Sequence, residues 1–270
     1  MRHDNEAGVV TTPPATKLVV VARSELLKLR ALRSIVWLTV SGALLVLFLG
    51  PLQGLGQIVA RSEASPVASV DAAVQLALTG MGTACLVFGI AGILVVTTEY
   101  QNRAVRTTFT VVPRRGLVVA AKAGATAGVV GTAALVSAFA AVLVTRPLLA
   151  EAGADLPLDL SVLRVIAGAA LYAITWAVLG QALGWLVRST VGATMSLIGV
   201  MYVLPALVTL LPEGVAAAVY PYLPSQAAAA LLQISPGSTV VPPLLAAVVV
   251  AAYLLLALVA SGRWVSRRDA

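Results

Sequence analysis

Residues 98–122, TEYQNRAVRTTFTVVPRRGLVVAAK, decide how this chain is read. They carry five cations (Arg103, Arg106, Arg114, Arg115 and Lys122) against a single acid, Glu99. Long apolar runs lie on both sides, and a basic break between two such runs belongs at a membrane surface. A loop that only joined two spans needs a few residues. This one holds a helix-compatible piece, a break at Pro113 and a basic turn, which is the layout of a surface built to be touched.

Working outward, the flanking composition supports that reading. Apolar side chains make up 60% of the 270 residues and charged ones 11%, with a mean hydropathy of +0.98. Soluble domains are roughly 45–50% apolar. The chain therefore reads as an all-α polytopic membrane protein. Six spans are predicted, at 34–52, 74–97, 123–145, 163–187, 191–211 and 242–261, together forming a transmembrane domain over 34–261. Trp37 stands near the start of the first as an interfacial aromatic. Residues 1–16 read as a disordered polar tail ending in Pro13 and Pro14, and 262–270 as a basic tail. No cleavable signal is recognised before the first span, which is expected to act as its own insertion signal.

Residues 17–33 read as an amphipathic interfacial helix. Leu18, Ala22, Leu26 and Leu29 fall on one stripe, while Arg23, Lys28 and Arg30 fall away from it. Glu25 borders the stripe with Lys28 three residues on, a spacing that serves either an interfacial salt bridge or contact with a partner subunit.

Charge sets the orientation. Of 18 lysines and arginines, fifteen fall in the N-terminal segment, the 98–122 stretch, the turn at Arg188 and the C-terminal tail. Only Arg61, Arg146 and Arg164 fall on the other side. This asymmetry predicts both termini and the basic stretch in the cytoplasm. It also explains the pI near 10 without nucleic acid as a partner; the cations report topology and lipid contact.

Other residue types narrow the chemistry. Cys85 is the sole cysteine and lies in an apolar run, as a small core residue would. His3, the sole histidine, has no acidic cluster for a metal site. No Asp, Glu, Lys, Arg or His falls in the central part of a predicted span, where ion-coupled carriers usually hold one. No nucleophile–base pair or GxxxxGK[ST] nucleotide loop occurs, so the chain reads as no enzyme and as holding no cofactor itself. The most polar group in a span centre is Thr175, Trp176 and Gln181, which reads either as interhelical hydrogen bonding or as a candidate substrate path. Gly124 with Gly128, and Gly180 with Gly184, form GxxxG pairs that suit close helix contacts.

The order of these features resembles the ABC-2 type permeases, the membrane subunits of one class of bacterial ABC transporter. Three stretches carry the likeness: SELLKLRALRS at 24–34, TTEYQNRAVRTTFTVVPRRGLVVAAK at 97–122 and YPYLPSQAAAALL at 220–232. Ala104 departs from it, standing where many members have glycine or a similar small residue. The resemblance implies a dimer with a second permease copy or a paralogue, each half paired with a cytoplasmic ABC ATPase subunit that binds ATP and magnesium. The loop after the second span would form a cytoplasmic coupling helix docked on that ATPase. By position, Glu99, Arg103, Arg106, Thr107, Pro113, Arg114 and Arg115 fall in it. The segment before the last span would be an external cap that partly re-enters the membrane. The implied function is an exporter in the bacterial plasma membrane, and the apolar spans suit hydrophobic or amphipathic cargo. Two other readings stay open, an ion-coupled secondary carrier and a non-transporting membrane scaffold or sensor.

Overall fold

The computed structural model describes residues 33–59, 69–102, 115–151, 156–234 and 241–268. Among the described residues the chain is about 90% helical, with no strand. Lipid offers the backbone no hydrogen-bond partners, so an apolar span must satisfy its N–H and C=O groups within its own helix.

Helix α1 covers Arg33–Val59, α2 Val70–Ala77 and α3 Gly80–Gln101. Helix α4 is Arg115–Glu151 and α5 is Leu160–Val187. Then come α6 (Thr190–Ile198), a π turn (Gly199–Val203) and α7 (Leu204–Val208). Pro205 accounts for the wide turn, because it has no N–H for the carbonyl of Met201 and its ring crowds that carbonyl. Helices α8 (Glu213–Val219) and α9 (Pro224–Ala230) precede α10 (Pro243–Arg268). Six helical segments, with α2–α3 counted as one and α6–α7 as another, are long and apolar enough to cross a membrane. The protein is an all-α, multi-pass membrane protein.

Side-chain caps fix where several helices begin. Ser69, Asp159 and Ser189 each accept the backbone N–H of the third residue of α2, α5 and α6. Most helices overrun the spans expected from hydropathy, because a helix continues past the apolar stretch that crosses lipid. Helix α4 shows this best, since 37 residues extend about 55 Å, well beyond a hydrocarbon core of about 30 Å.

Helices α3 and α5 form the centre, and α1, α4, α6 and α10 pack around them. Glycine decides the closeness of the central crossing. A Cβ on Gly180 would strike the carbonyl of Gly89, and one on Gly92 would strike that of Ala177. The Gly180–Gly184 pair therefore marks a true helix contact. Gly124 and Gly128 do not, since a Cβ on either meets nothing within 4 Å. They lie on an outward face of α4, and the pattern there reflects how common small residues are in this sequence. Cys85 is fully buried in the main core beside Phe88 and Met81.

Candidate functional site

The basic end of the bundle is where Glu99, Lys122, Arg188 and Arg263 gather, and it holds the described part of the 98–122 stretch. That stretch is shorter as a loop than hydropathy suggests. Helix α3 runs through Thr98, Glu99 and Tyr100 to Gln101, and α4 already begins at Arg115. Arg103, Arg106, Thr107, Pro113 and Arg114 lie outside the described residues, as do Glu25, Lys28 and the side chain of Arg115.

Lys122 corrects the reading of this stretch as surface. It sits two turns inside α4, and its Nζ lies 2.8 Å from Glu99 Oε1. The lysine side chain is 2% exposed and the carboxylate 11%. A lone ammonium there would be costly, and the facing carboxylate offsets that cost. The pair ties the last turn of α3 to α4, the two helices between which 103–114 runs.

A second set of contacts anchors the same end to α5 and α6. The Tyr100 ring meets Trp185 edge-on at 5.8 Å between centroids. The Arg188 guanidinium carbon lies 5.1 Å from the centroid of the same Tyr100 ring, a cation–π contact. Arg188 reaches it from a left-handed backbone, with φ 57°, closing α5 through its N–H to the carbonyl of Gly184. Glycine usually fills that position, so arginine there accepts about 1–2 kcal/mol of strain. Thr190 Oγ1 donates to Thr97 Oγ1 at 2.9 Å and accepts from Gln101 Nε2 at 3.3 Å. Val96, Val119, Trp185 and Val265 form a small apolar core of their own beside these groups.

Thr175, Trp176 and Gln181 lie together on α5, buried inside the bundle. Thr175 and Trp176 are fully buried and Gln181 is 2% exposed. The Thr175 hydroxyl donates back to the carbonyl of Leu171 at 2.7 Å, a helix-internal bond.

The far end carries a polar latch that hydropathy does not reveal. Asp71 Oδ1 accepts the backbone N–H of Ile234 at 2.9 Å, and Gln75 Nε2 donates to the carbonyl of Leu232 at 2.8 Å. From α5, Arg164 donates to the carbonyls of Gln233 and Ile234, both at 2.8 Å. Two spans thus hold three consecutive residues of the segment before α10. Helix α9 is buried against the bundle, while α8 has no buried residue. An open groove of about 900 Å³ runs beside α8 and the start of α10, lined by Ala216, Tyr220, Tyr222, Val241 and Leu245 among others.

Sequence reasoning missed Lys122 as a buried partner, and one signal could have found it. It is the only charge between Arg115 and Arg146, set in the run GLVVAAKAGATAGVV, and an isolated lysine in such a run needs an acid. No comparable signal points to Asp71 or Arg164, because their partners are backbone groups. Among the described residues no group of three His, Cys, Asp or Glu side chains is placed to hold a metal ion. Comparison of the chain with models of known protein families finds no match, and comparison with curated proteins finds none.

Proposed function

We propose that this chain is the membrane subunit of an ATP-driven exporter of the ABC-2 type, working as a dimer in a bacterial plasma membrane with cytoplasmic ATPase subunits. One observation carries the proposal furthest: the buried Glu99–Lys122 pair at the base of the basic segment. A segment that receives a push from a partner transmits it only if its two ends are stiffly mounted. Here both ends are helical, tied to each other by an ion pair, tied to α5 through Tyr100, Trp185 and Arg188, and to α6 through Thr190 with Thr97 and Gln101. A movement of 103–114 would then shift α3, α4 and α5 together instead of being absorbed locally.

The rest of the chain is consistent with this role. It has no nucleotide-binding loop, so ATP and magnesium belong to the partner. The excess of cations in the N-terminal segment, the 98–122 stretch and the C-terminal tail supports a cytoplasmic coupling end. The lightly buried α6–α7 and α10, with Met195, Tyr202, Leu207 and Leu256 exposed, offer faces to lipid and to a second copy. The groove beside α8 has the apolar and aromatic lining that suits amphipathic cargo at an exit.

The test is purification of the full chain from its native membrane in mild detergent, followed by identification of stoichiometric partners. A P-loop ATPase is expected, retained by the parent protein and lost when Arg106 and Arg114 are both replaced by glutamate. Recovery without any ATPase, or equal recovery of one from the double variant, would remove the basis for the proposal.

A further inference from the structure

Gln181 lies within α5, buried to 2% exposure, and neither its Nε2 nor its Oε1 has a hydrogen-bond partner among the described residues. Apolar helices surround it. A primary amide in such a place is strongly driven to find a donor and an acceptor, because neither lipid nor aliphatic side chains supply one. The amide is next to a small cavity of about 10 Å³ where α4, α5 and α10 meet. Gln181 lines it together with Val119, Ala123, Trp185 and Ser261. That volume is about one water.

We infer that this cavity is a binding site for a single structural water held between Gln181 and Ser261. The chemistry of the lining selects this occupant. Ser261 Oγ already donates to the carbonyl of Ala257 at 2.6 Å, so its lone pairs remain available to accept. A water can accept from Gln181 Nε2, return one hydrogen to Oε1 of the same amide, and give its second hydrogen to Ser261 Oγ. Those three bonds match what a buried water usually makes. An apolar occupant would leave both amide atoms unsatisfied. A metal cation is unsuited, since the cavity has no carboxylate and too few oxygens to replace a hydration shell. The site is thus neutral and takes a small group that both donates and accepts.

The water also has a structural consequence. Helix α10 is the least buried of the six spans, and Ser261 is on it. A bridge from Gln181 would give this last span a polar tie to α5 at the level of Trp185. The inference does not depend on what the protein transports.

Hydroxyl-radical labelling of the full chain in lipid nanodiscs, produced by X-ray radiolysis and mapped by mass spectrometry, tests it. Radicals form from water, so a buried side chain beside a bound water is labelled while an equally buried dry one is not. Trp185 lies beside the cavity at 1% exposure, and Trp176, at 0% and outside the cavity lining, supplies the control on the same helix. Trp185 is expected to label several-fold faster than Trp176. Gln181→Met, which keeps the side-chain length but removes the amide, is expected to bring it down to the control rate. Ser261→Ala deletes one of the three bonds and should lower labelling independently, which covers the case in which Gln181→Met does not fold. Equal labelling of the two tryptophans in the parent protein would overturn the inference. So would Trp185 labelling that both folded variants leave unchanged, since water would then be reaching it from the basic end.

Discussion

Replacing Lys122 with methionine removes the ammonium while keeping most of the apolar stem. Glu99, only 11% exposed, then loses the partner at 2.8 Å. Removing one member of a buried ion pair typically costs about 3–5 kcal/mol. Glu99 retains a little exposure and a contact besides Lys122, so the lower part of that range applies, about 3 kcal/mol. Replacing both members, as in Glu99→Gln with Lys122→Met, removes both charges of the pair, and the cost should fall to about 1 kcal/mol, near that of a lost hydrogen bond. The four proteins of this cycle can be compared in bicelles by steric trapping, which gives unfolding free energies without detergent denaturation. A double variant clearly more stable than Lys122→Met is the expected signature of a coupled pair. Simple additivity, or a cost below about 1 kcal/mol for Lys122→Met, would refute the view that this pair fastens α3 to α4.

Three further outcomes follow from the packing and the caps. Gly180→Ala places a methyl against the backbone of Gly89 and should destabilise the bundle by about 1–3 kcal/mol, whereas Gly128→Ala meets nothing and should stabilise it by up to about 1 kcal/mol; the same unfolding assay reads both. Asp71→Ala removes the acceptor of the Ile234 amide, so hydrogen exchange there should accelerate, while Arg164→Met should accelerate it across residues 232–234 by releasing two carbonyls. Unchanged exchange in both variants would mean that the latch does not hold this segment. Asp159 accepts from the Ser161 hydroxyl and the Val162 N–H, which together hold its carboxyl below the ordinary aspartate range. Its folded value is the lower one, so the contribution is complete above the unfolded value near 4 and disappears as pH falls through the folded one. Asp159→Asn keeps an acceptor without a titrating proton, and the acid-induced loss of stability should be smaller in that variant.

The resemblance-based site and the observed one overlap at Glu99 alone among described side chains. Glu99 could be singled out because an acid stands out in a basic stretch. Its partner could not, because Lys122 was grouped with the arginines of the same stretch. Only a helix starting at Arg115 carries Lys122 inward to face α3. The GxxxG pairs teach the same lesson. Two identical spacings in one sequence have opposite fates, one against Gly89 and the other facing outward, and local sequence does not distinguish them.

Sequence alone determined that this protein is helical and carries six segments long and apolar enough to cross a membrane. Those properties follow from transfer of each segment between water and lipid, and from a backbone that must close its hydrogen bonds locally, so no knowledge of neighbouring helices is needed. Tertiary structure decided which groups meet: Glu99 with Lys122, Gly89 with Gly180, Arg164 with the carbonyls of 233 and 234, and Gln181 with a cavity. The physical reason is that a span apolar on every side has no stripe that says which face turns inward. Lipid is as apolar as leucine, so the inward face is chosen by close backbone approach and by a few polar partners, and these depend on helices far apart in the chain.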